Sequence, residues 1–399
     1  MPKSFIEQHP VIKLVSVKEI GSLPRMPLTF NDVGESHRYT FKNVGMNFNK
    51  DLARRGQFCY HPFNTVTIDH RGDCYVCVCQ AWLPIPVGNI FDFESLDDIV
   101  RSPKAREIQA SIIDGTYKYC DEKTCHLLIR NEMESKISHK PDSVNWINFA
   151  IDDSCNLQCP SCRTELIFHK EGDDFDYRMR MTEHISKLIE RHQHWIKFTL
   201  SGDGDPFASH IYRNLLKNLH LTKENQVEIE IVTNGILVKA HWDEMPGVHE
   251  NVIRFRISYD AGSEAVYNIT RKGGHWNKLL ESTRYIVEWK RRTGSDTKIA
   301  VNFVVQNNNY KDIVKFVRLV KEIGVDEIGF QKVTDWGKYY DVKGINRFSE
   351  HAVWMPDHPN HQELITLLND PELYDPRVEL TNLSHLGQKH PDKPSVTTK

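Results

Sequence analysis

The chain has 399 residues, of which 39% are hydrophobic and 26% are charged, and its formal net charge is −3. These values are typical of a soluble globular protein of about two domains, without the basic excess of proteins that bind a nucleic-acid backbone. The sequence shows neither a secretion signal nor an apolar run of membrane-spanning length. We therefore expect a cytoplasmic protein with no membrane partner, and the composition does not support a nucleic-acid partner.

Composition and pattern divide the chain into four regions. We expect an N-terminal extension at residues 1–54, a small cysteine-rich module at residues 55–130, an α/β domain at residues 143–335 and a C-terminal extension at residues 336–399. The last dozen residues are polar and lack apolar periodicity, so we expect them to be disordered.

All nine cysteines lie between residues 59 and 162. In the module, residues 65–78 predict a hairpin that turns at Arg71 and Gly72, and residues 95–112 predict an amphipathic helix. Closely spaced cysteines in a chain without a secretion signal favour metal or cluster ligands over disulfides.

The α/β domain alternates short β-branched runs with longer amphipathic segments, which predicts βα units and a parallel sheet. The strands are predicted at residues 144–151, 196–201, 227–233, 252–258, 298–305 and 326–331, and helices at residues 181–192, 276–292 and 311–324. Six βα repeats are too few for a closed eight-stranded barrel, so we expect an open, partial barrel or a doubly wound sheet. In either fold, reactive groups belong at the carboxyl ends of the strands.

Three cysteines directly follow the first of these strands, at Cys155, Cys159 and Cys162. A structural zinc ion requires four ligands, and His169 could supply the fourth. Alternatively, three thiolates could hold three irons of a four-iron cluster and leave the fourth iron open to a cofactor or substrate.

The C-x3-C-x2-C spacing on this loop resembles the motif of the radical S-adenosylmethionine (radical SAM) enzymes. The loops "SGDGDPF" (201–207), "VTNGIL" (232–237) and "ISYDAGSEAVYNITRKGG" (257–274) resemble the loops that bind S-adenosylmethionine in that family. The resemblance covers residues 143–335 and implies a partial (β/α)6 TIM-like barrel with a [4Fe–4S] cluster on the three cysteines.

The resemblance also implies which residues contact S-adenosylmethionine. The glycine-rich loop would meet the methionine amino group, with Asp205 where the family usually has Glu, and Arg271 could pair with the methionine carboxylate. Ser258 or Asp260 would face the ribose. The implied contacts are Gly202, Asp203, Gly204, Asp205, Asn234, Ser258, Asp260 and Arg271.

One position departs from the family pattern. The family often has an aromatic residue just before the third cysteine, and this chain has Ser161. Ligation of the cluster is unaffected, but the adenine must then be held by other residues, for which Phe330 and Val305 are candidates.

The upstream cysteines resemble the SPASM and twitch modules, which bind auxiliary four-iron clusters. Cys59, Gly72 and Cys77 fit the opening C-x(9–15)-G-x4-C pattern, and Cys120 and Cys125 form a closing pair. These four cysteines would hold one auxiliary [4Fe–4S] cluster, with Cys74 or Cys79 as possible substitutes; a zinc-bound knot is the alternative. Such modules usually follow the barrel, whereas here the module precedes it.

The resemblance implies a radical SAM oxidoreductase or maturase that takes electrons from a flavodoxin or ferredoxin. Within this class we expect oxidation or cross-linking of a ribosomally made peptide, with dehydrogenation of a sugar or aminoglycoside, or a nucleotide substrate, as alternatives. A non-catalytic iron–sulfur electron carrier or a zinc-stabilised binding protein is the alternative outside the enzyme class.

Overall fold

The computed structural model describes residues 59–130, 143–163, 165–200, 204–335 and 337–387. The predicted N-terminal extension and the predicted disordered tail lie outside these residues. Within the described part of the chain, no helix is both long and apolar enough to cross a membrane.

One sheet organises the described residues. Its strands are β1 (Thr65–Asp69), β2 (Asp73–Tyr75), β3 (Gly88–Asn89), β4 (Trp146–Ala150), β5 (Ile196–Leu200), β6 (Val227–Thr233), β7 (Val252–Ser258), β8 (Lys298–Val305), β9 (Glu327–Lys332) and β10 (Val378–Glu379). They are ordered β10-β9-β8-β7-β6-β5-β4-β1-β2-β3. Strands β1 and β4 to β10 are parallel, and only the β1–β2–β3 hairpins are antiparallel.

The helices are α1 (His61–Asn64), α2 (Leu96–Arg101), α3 (Pro103–Ile113), α4 (His126–Arg130), α5 (Asp173–Arg191), α6 (His210–Asn218), α7 (Val238–His241), α8 (Glu264–Thr270), α9 (Trp276–Thr293), α10 (Ile313–Ile323), α11 (Phe348–His351) and α12 (His361–Leu368). The six predicted strands are β4 to β9, so the prediction of an open parallel α/β fold of the partial-barrel type is confirmed.

The core lies between one face of the sheet and the helices. Alternate strand residues face this layer because side chains of a strand point to opposite faces in turn. For example, the rings of Phe303 (β8) and Phe330 (β9) lie 5.1 and 5.7 Å from the ring of Phe316 on α10. Helix α10 ends at Ile323, and Gly324 follows it as a left-handed C-cap with φ +88°.

Two predicted helices differ from those observed. Helix α5 begins at Asp173 and not near residue 181, since Asp173, Asp174 and Asp176 in its first turn suit the positive end of the helix dipole. The helix predicted at 95–112 is divided into α2 and α3 at Ser102, because Pro103 begins a new helix and the Ser102 side chain caps it.

The cysteine-rich module is continuous with the barrel sheet. Strand β1 pairs in parallel with β4, from Thr65 opposite Trp146 to Asp69 opposite Ala150. After β2 the chain crosses the concave face of these strands, where the Thr67 hydroxyl donates to the Cys77 carbonyl (2.6 Å) and the Asn148 side chain donates to the Val78 carbonyl (3.0 Å). The module therefore covers the open β4 side of the partial barrel.

Candidate iron–sulfur cluster sites

The cysteine loop follows β4 at the carboxyl end of the sheet, where reactive groups were expected. Cys155 pairs with Ile167, and its backbone N–H donates to the Ile167 carbonyl (2.9 Å). The backbone N–H groups of Cys162 and Arg163 both donate to the Cys159 carbonyl, at 2.9 Å each, which folds the loop into a tight turn. Cys159 is buried, whereas Cys155 and Cys162 are half-buried.

The loop after β5 packs directly on the cysteine loop. A Cβ on Gly204 would lie 2.5 Å from the Ser154 carbonyl oxygen and 2.8 Å from that of Asp152, so only glycine fits there. Gly202 and Asp203, predicted to contact the cofactor, lie outside the described residues. The approach of this loop agrees with its predicted role, which stays a prediction.

Asp205 joins three of the loops at this end of the sheet. Its backbone N–H donates to the Ser154 carbonyl (2.8 Å), and its carboxylate accepts hydrogen bonds from the Thr233 hydroxyl and the Asn234 backbone N–H, both at 2.7 Å. The backbone N–H groups of Phe207 and Ala208 donate to the same carboxylate. Burial raises the pKa of Asp205, and these hydrogen bonds act in the opposite direction. Asp205 therefore fixes loop positions, and any contact with a cofactor would be additional.

Two further predicted residues face cysteine sulfurs. The Asn234 amide lies 3.8 Å from Cys155 Sγ and donates to the Asn156 side chain at 2.8 Å. Arg271 Nη1 lies 3.8 Å from Cys159 Sγ, and Nη2 forms an ion pair with Asp260 at 2.7 Å. Burial lowers the pKa of Arg271, but Asp260 and the nearby sulfurs raise it by more. Both side chains can thus donate to a thiolate.

The ribose and adenine candidates have different surroundings. Ser258 is the last residue of β7 and is half-buried, at the same end of the sheet as the cysteine loop. Asp260 is buried, adopts φ +55° and accepts a hydrogen bond from the Val304 backbone N–H (2.7 Å). Phe330 and Val305 are fully buried, and Phe330 packs against Phe316 of α10, so the structure does not support them as adenine contacts.

A charge network that the sequence analysis missed anchors the cysteine loop to α5. Arg178, only 2% exposed, contacts Asp152 (2.6 Å), Asp153 (3.2 Å) and Asp174 (2.7 Å). Burial would raise the pKa of Asp153, but the His169 hydrogen bond and the Arg178 charge lower it by more. The one feature of the sequence that could have predicted this network is the pair of adjacent aspartates, Asp152 and Asp153, between the first predicted strand and the first cysteine of the loop.

The same network bears on the zinc alternative. His169 Nε2 lies 2.6 Å from Asp153 Oδ1, so the structure directs this ring to a carboxylate. Zinc bonds of about 2.3 Å to sulfur would place tetrahedral ligand atoms about 3.8 Å apart. Among the described residues, the one group of three metal-ligating side chains within 4.8 Å of one another is Asp152, Asp153 and His169, and both of its carboxylates already form ion pairs with Arg178. The prediction of His169 as the fourth ligand is not supported.

The structure brings together the four cysteines proposed for the auxiliary site. Cys59, Cys77, Cys120 and Cys125 are close enough for the charge of one to raise the pKa of another, although burial is the larger cause. Burial and Cys125 together raise the pKa of Cys59 to about 12. Buried thiols of this kind become thiolates when a metal supplies positive charge, so the set suits an iron–sulfur cluster.

The two possible substitutes differ in position. Cys74 is fully buried on β2, where its thiol donates to the Gly72 carbonyl (3.7 Å), and burial together with the negative charges of Asp69, Asp73 and Asp92 raises its pKa. Cys79 lies close to Cys77. The geometry therefore favours Cys79 over Cys74 as a substitute ligand.

Family models match the two cysteine-containing parts of the chain. A model described as the radical SAM superfamily matches residues 151–320, and the SPASM model, described as an iron–sulfur cluster-binding domain, matches residues 59–126.

Several curated proteins are similar in sequence. The probable GTP 3',8-cyclase of Methanocaldococcus jannaschii is 25% identical over 218 residues, which are 52% of this chain and 67% of that protein. The GTP 3',8-cyclase of Clostridium perfringens is 26% identical over 207 residues, 51% of this chain and 59% of that protein. A tungsten-containing aldehyde ferredoxin oxidoreductase cofactor-modifying protein of Pyrococcus furiosus is 22% identical over 188 residues, 46% of this chain and 50% of that protein. The chain thus spans between half and two thirds of these relatives.

Solved structures show a more distant similarity. SuiB of Streptococcus suis is 16% identical, with a TM-score of 0.37 over 63% of this chain and 48% of that one. TYW1 with a bound lysine–pyruvate adduct is 17% identical, with a TM-score of 0.34 over 56% of this chain and 69% of that one.

Proposed function

This chain belongs to the radical SAM superfamily and has an iron–sulfur cluster-binding domain ahead of its core, and from this premise we propose that it oxidises or cross-links a peptide by radical chemistry. Its cofactors are a [4Fe–4S] cluster, S-adenosylmethionine and an auxiliary iron–sulfur cluster. When bound, the first two supply a 5′-deoxyadenosyl radical that abstracts a hydrogen atom from the substrate.

The proposal rests on the incomplete cysteine set at the carboxyl end of the sheet. Cys155, Cys159 and Cys162 would ligate three irons of the cluster, and the fourth iron would be open to S-adenosylmethionine. Asn234 and Arg271 direct N–H groups at two of the sulfurs and would stabilise them as thiolates. Gly204 and Asp205 would hold the neighbouring loop against the site.

The complete set of four cysteines supports a different role for the auxiliary cluster. Cys59, Cys77, Cys120 and Cys125 would leave no open iron, which favours electron transfer over binding of substrate. The crossing segment that contains Cys77 lies on the concave face of β1 and β4, beside the interior of the barrel. That location suits a cluster that accepts an electron from a substrate radical and completes a net oxidation. A flavodoxin or ferredoxin as the external donor stays a prediction.

The first experiment tests the radical chemistry. We expect the anaerobically reconstituted protein, given S-adenosylmethionine and a strong reductant, to release 5′-deoxyadenosine, and Cys159→Ala to abolish this product because one iron ligand is lost. Cys74→Ala is the matched control, since Cys74 is also buried but faces carboxylates on β2. Equal 5′-deoxyadenosine formation by wild type and Cys159→Ala would refute the proposal.

A peptide substrate is supported by exposed apolar side chains near the cysteine loop. Leu166 and Phe168 follow the cysteines and are 51% and 41% exposed. Tyr340, Val342 and Ile345 are also exposed and follow Tyr339, which lies beside Ser161 and Cys162. Such side chains can contact a chain larger than a single metabolite. Incubation with candidate precursor peptides and mass spectrometry should reveal a loss of two hydrogens.

The sequence relatives favour a second candidate, a nucleotide substrate, since several are GTP 3',8-cyclases. The two candidates are distinguished by adding either GTP or a peptide to the reconstituted protein. The true substrate class should increase the rate of 5′-deoxyadenosine formation and itself be converted, and the other should do neither.

A further inference from the structure

The concave face of the barrel sheet is polar on the strands next to the cofactor loops. Barrel interiors are usually filled by branched apolar side chains. Here the inward-facing positions of β4 to β7 include the polar residues Asn148, Lys197, Thr199, Glu230, Arg254 and Arg256. An interior of this kind is suited to bind a charged ligand and not to complete an apolar core.

A group of charges on this face is organised around Glu230. Its carboxylate, only 5% exposed, contacts Lys197 Nζ (2.7 Å), Arg256 Nη2 (2.6 Å) and Arg254 Nη1 (4.0 Å). Arg254 also pairs with Glu327 at 3.1 Å. Burial would raise the pKa of Glu230, but the Lys197 hydrogen bond and the Arg256 charge lower it by more, so it is a carboxylate.

In this group the cations outnumber the carboxylates, and their N–H donors outnumber the acceptor sites of the carboxylates. With Lys298 and Glu228 included, this face of β5 to β9 has four cations and three carboxylates. Each guanidinium has five N–H donors and each ammonium three, more than Glu230 and Glu327 can accept. The side chains of Lys197, Arg254 and Arg256 are 24, 30 and 36% exposed, so a ligand in the barrel could reach them.

The distance between this group of charges and the cofactor loops follows from the positions of its residues on β7. Ser258, which ends β7, lies at the same end of the sheet as the cysteine loop. A strand rises about 3.3 Å per residue, so Arg256 lies about 7 Å and Arg254 about 13 Å from that end, and Arg254 is close to the start of β7. An anion bound there would lie about 7 to 13 Å from the end of the sheet where hydrogen abstraction is proposed.

We propose that Lys197, Arg254 and Arg256 bind an anionic group of the substrate, a phosphate or a carboxylate, and so orient the substrate toward the cofactor end of the barrel. This inference rests on the proposed function for the location of the reaction. A nucleotide would supply phosphates, and a peptide would supply an acidic side chain or its C-terminal carboxylate. Cations in a fork geometry match both kinds of oxyanion.

The test measures binding of free anions to the reconstituted protein by calorimetry, with tripolyphosphate as the phosphate probe and citrate as the carboxylate probe. At least one should bind with a dissociation constant below about 1 mM. Arg256→Gln should weaken that binding at least tenfold, whereas Arg291→Gln, which removes an arginine that is 73% exposed, should not. The probe that binds more tightly identifies the kind of anion.

Glu230→Gln provides the opposite change. It removes one negative charge beside the three cations while keeping the shape of the side chain, so anion binding should strengthen at least threefold. Failure of both probes to bind, or unchanged binding in both Arg256→Gln and Glu230→Gln, would overturn the proposal. Formation of 5′-deoxyadenosine without substrate is measured in parallel. If the wild-type protein forms none, the proposed function is refuted. If it forms 5′-deoxyadenosine but binds neither anion, only this inference is refuted.

Discussion

Single residues at the carboxyl end of the sheet determine how closely the loops approach. Gly204 lets the loop after β5 contact the backbone of the cysteine loop, and Asp205 ties that contact to the end of β6. The sequence resemblance predicted both positions, because short residues after a strand permit a close backbone approach. It could not predict that the Asp205 carboxylate accepts four protein hydrogen bonds, since the donors come from residues in two separate loops.

Gly204→Ala should disturb the cysteine loop without unfolding the protein. The added Cβ would displace the Ser154 or Asp152 carbonyl. We expect bound iron to fall from about eight toward about four per chain, with the auxiliary cluster retained. Gly294→Ala is the control: a Cβ there meets nothing within 4 Å, although the residue has φ +66°. Full iron content in Gly204→Ala would show that the close approach is unnecessary.

At the scale of elements, the strands were predictable and the helix boundaries were less so. Strands β4 to β9 were recognised because their residues alternate between the helix layer and the barrel interior, or are apolar throughout. The start of α5 was missed since its first turns are acidic and lack apolar periodicity. Those same turns contain Asp174 and lead to Arg178, which joins α5 to Asp152 and Asp153 before the cysteine loop.

Arg178→Met should destabilise the protein strongly. The substitution leaves Asp152 and Asp153 buried without their cation, and removal of one partner of a buried pair costs about 3 to 5 kcal/mol. Arg291→Met breaks an exposed pair with Glu288 and should cost less than about 1 kcal/mol. Urea unfolding followed by circular dichroism measures both free energies of unfolding. Similar midpoints for the two variants would mean that the network does not anchor α5.

At the scale of the molecule, the pairing of β1 with β4 unites the cysteine-rich module and the barrel in one sheet. The sequence predicted the hairpin but not its partner, because a strand's alternation pattern does not specify which distant strand it joins. The pairing also determines where the module lies relative to the barrel. The pairing covers the β4 edge and places the segment with Cys77 against the concave face, near Asn148.

This arrangement predicts that the two clusters can be removed separately. Cys120→Ala should lower bound iron from about eight to about four per chain, because it removes one auxiliary ligand and leaves the loop after β4 intact. Formation of 5′-deoxyadenosine should continue, whereas conversion of substrate should stop if the auxiliary cluster accepts the electron. Cys74→Ala should keep about eight irons, since Cys74 faces carboxylates on β2. About four irons in the wild type, or stoichiometric zinc, would refute an auxiliary [4Fe–4S] cluster on these cysteines.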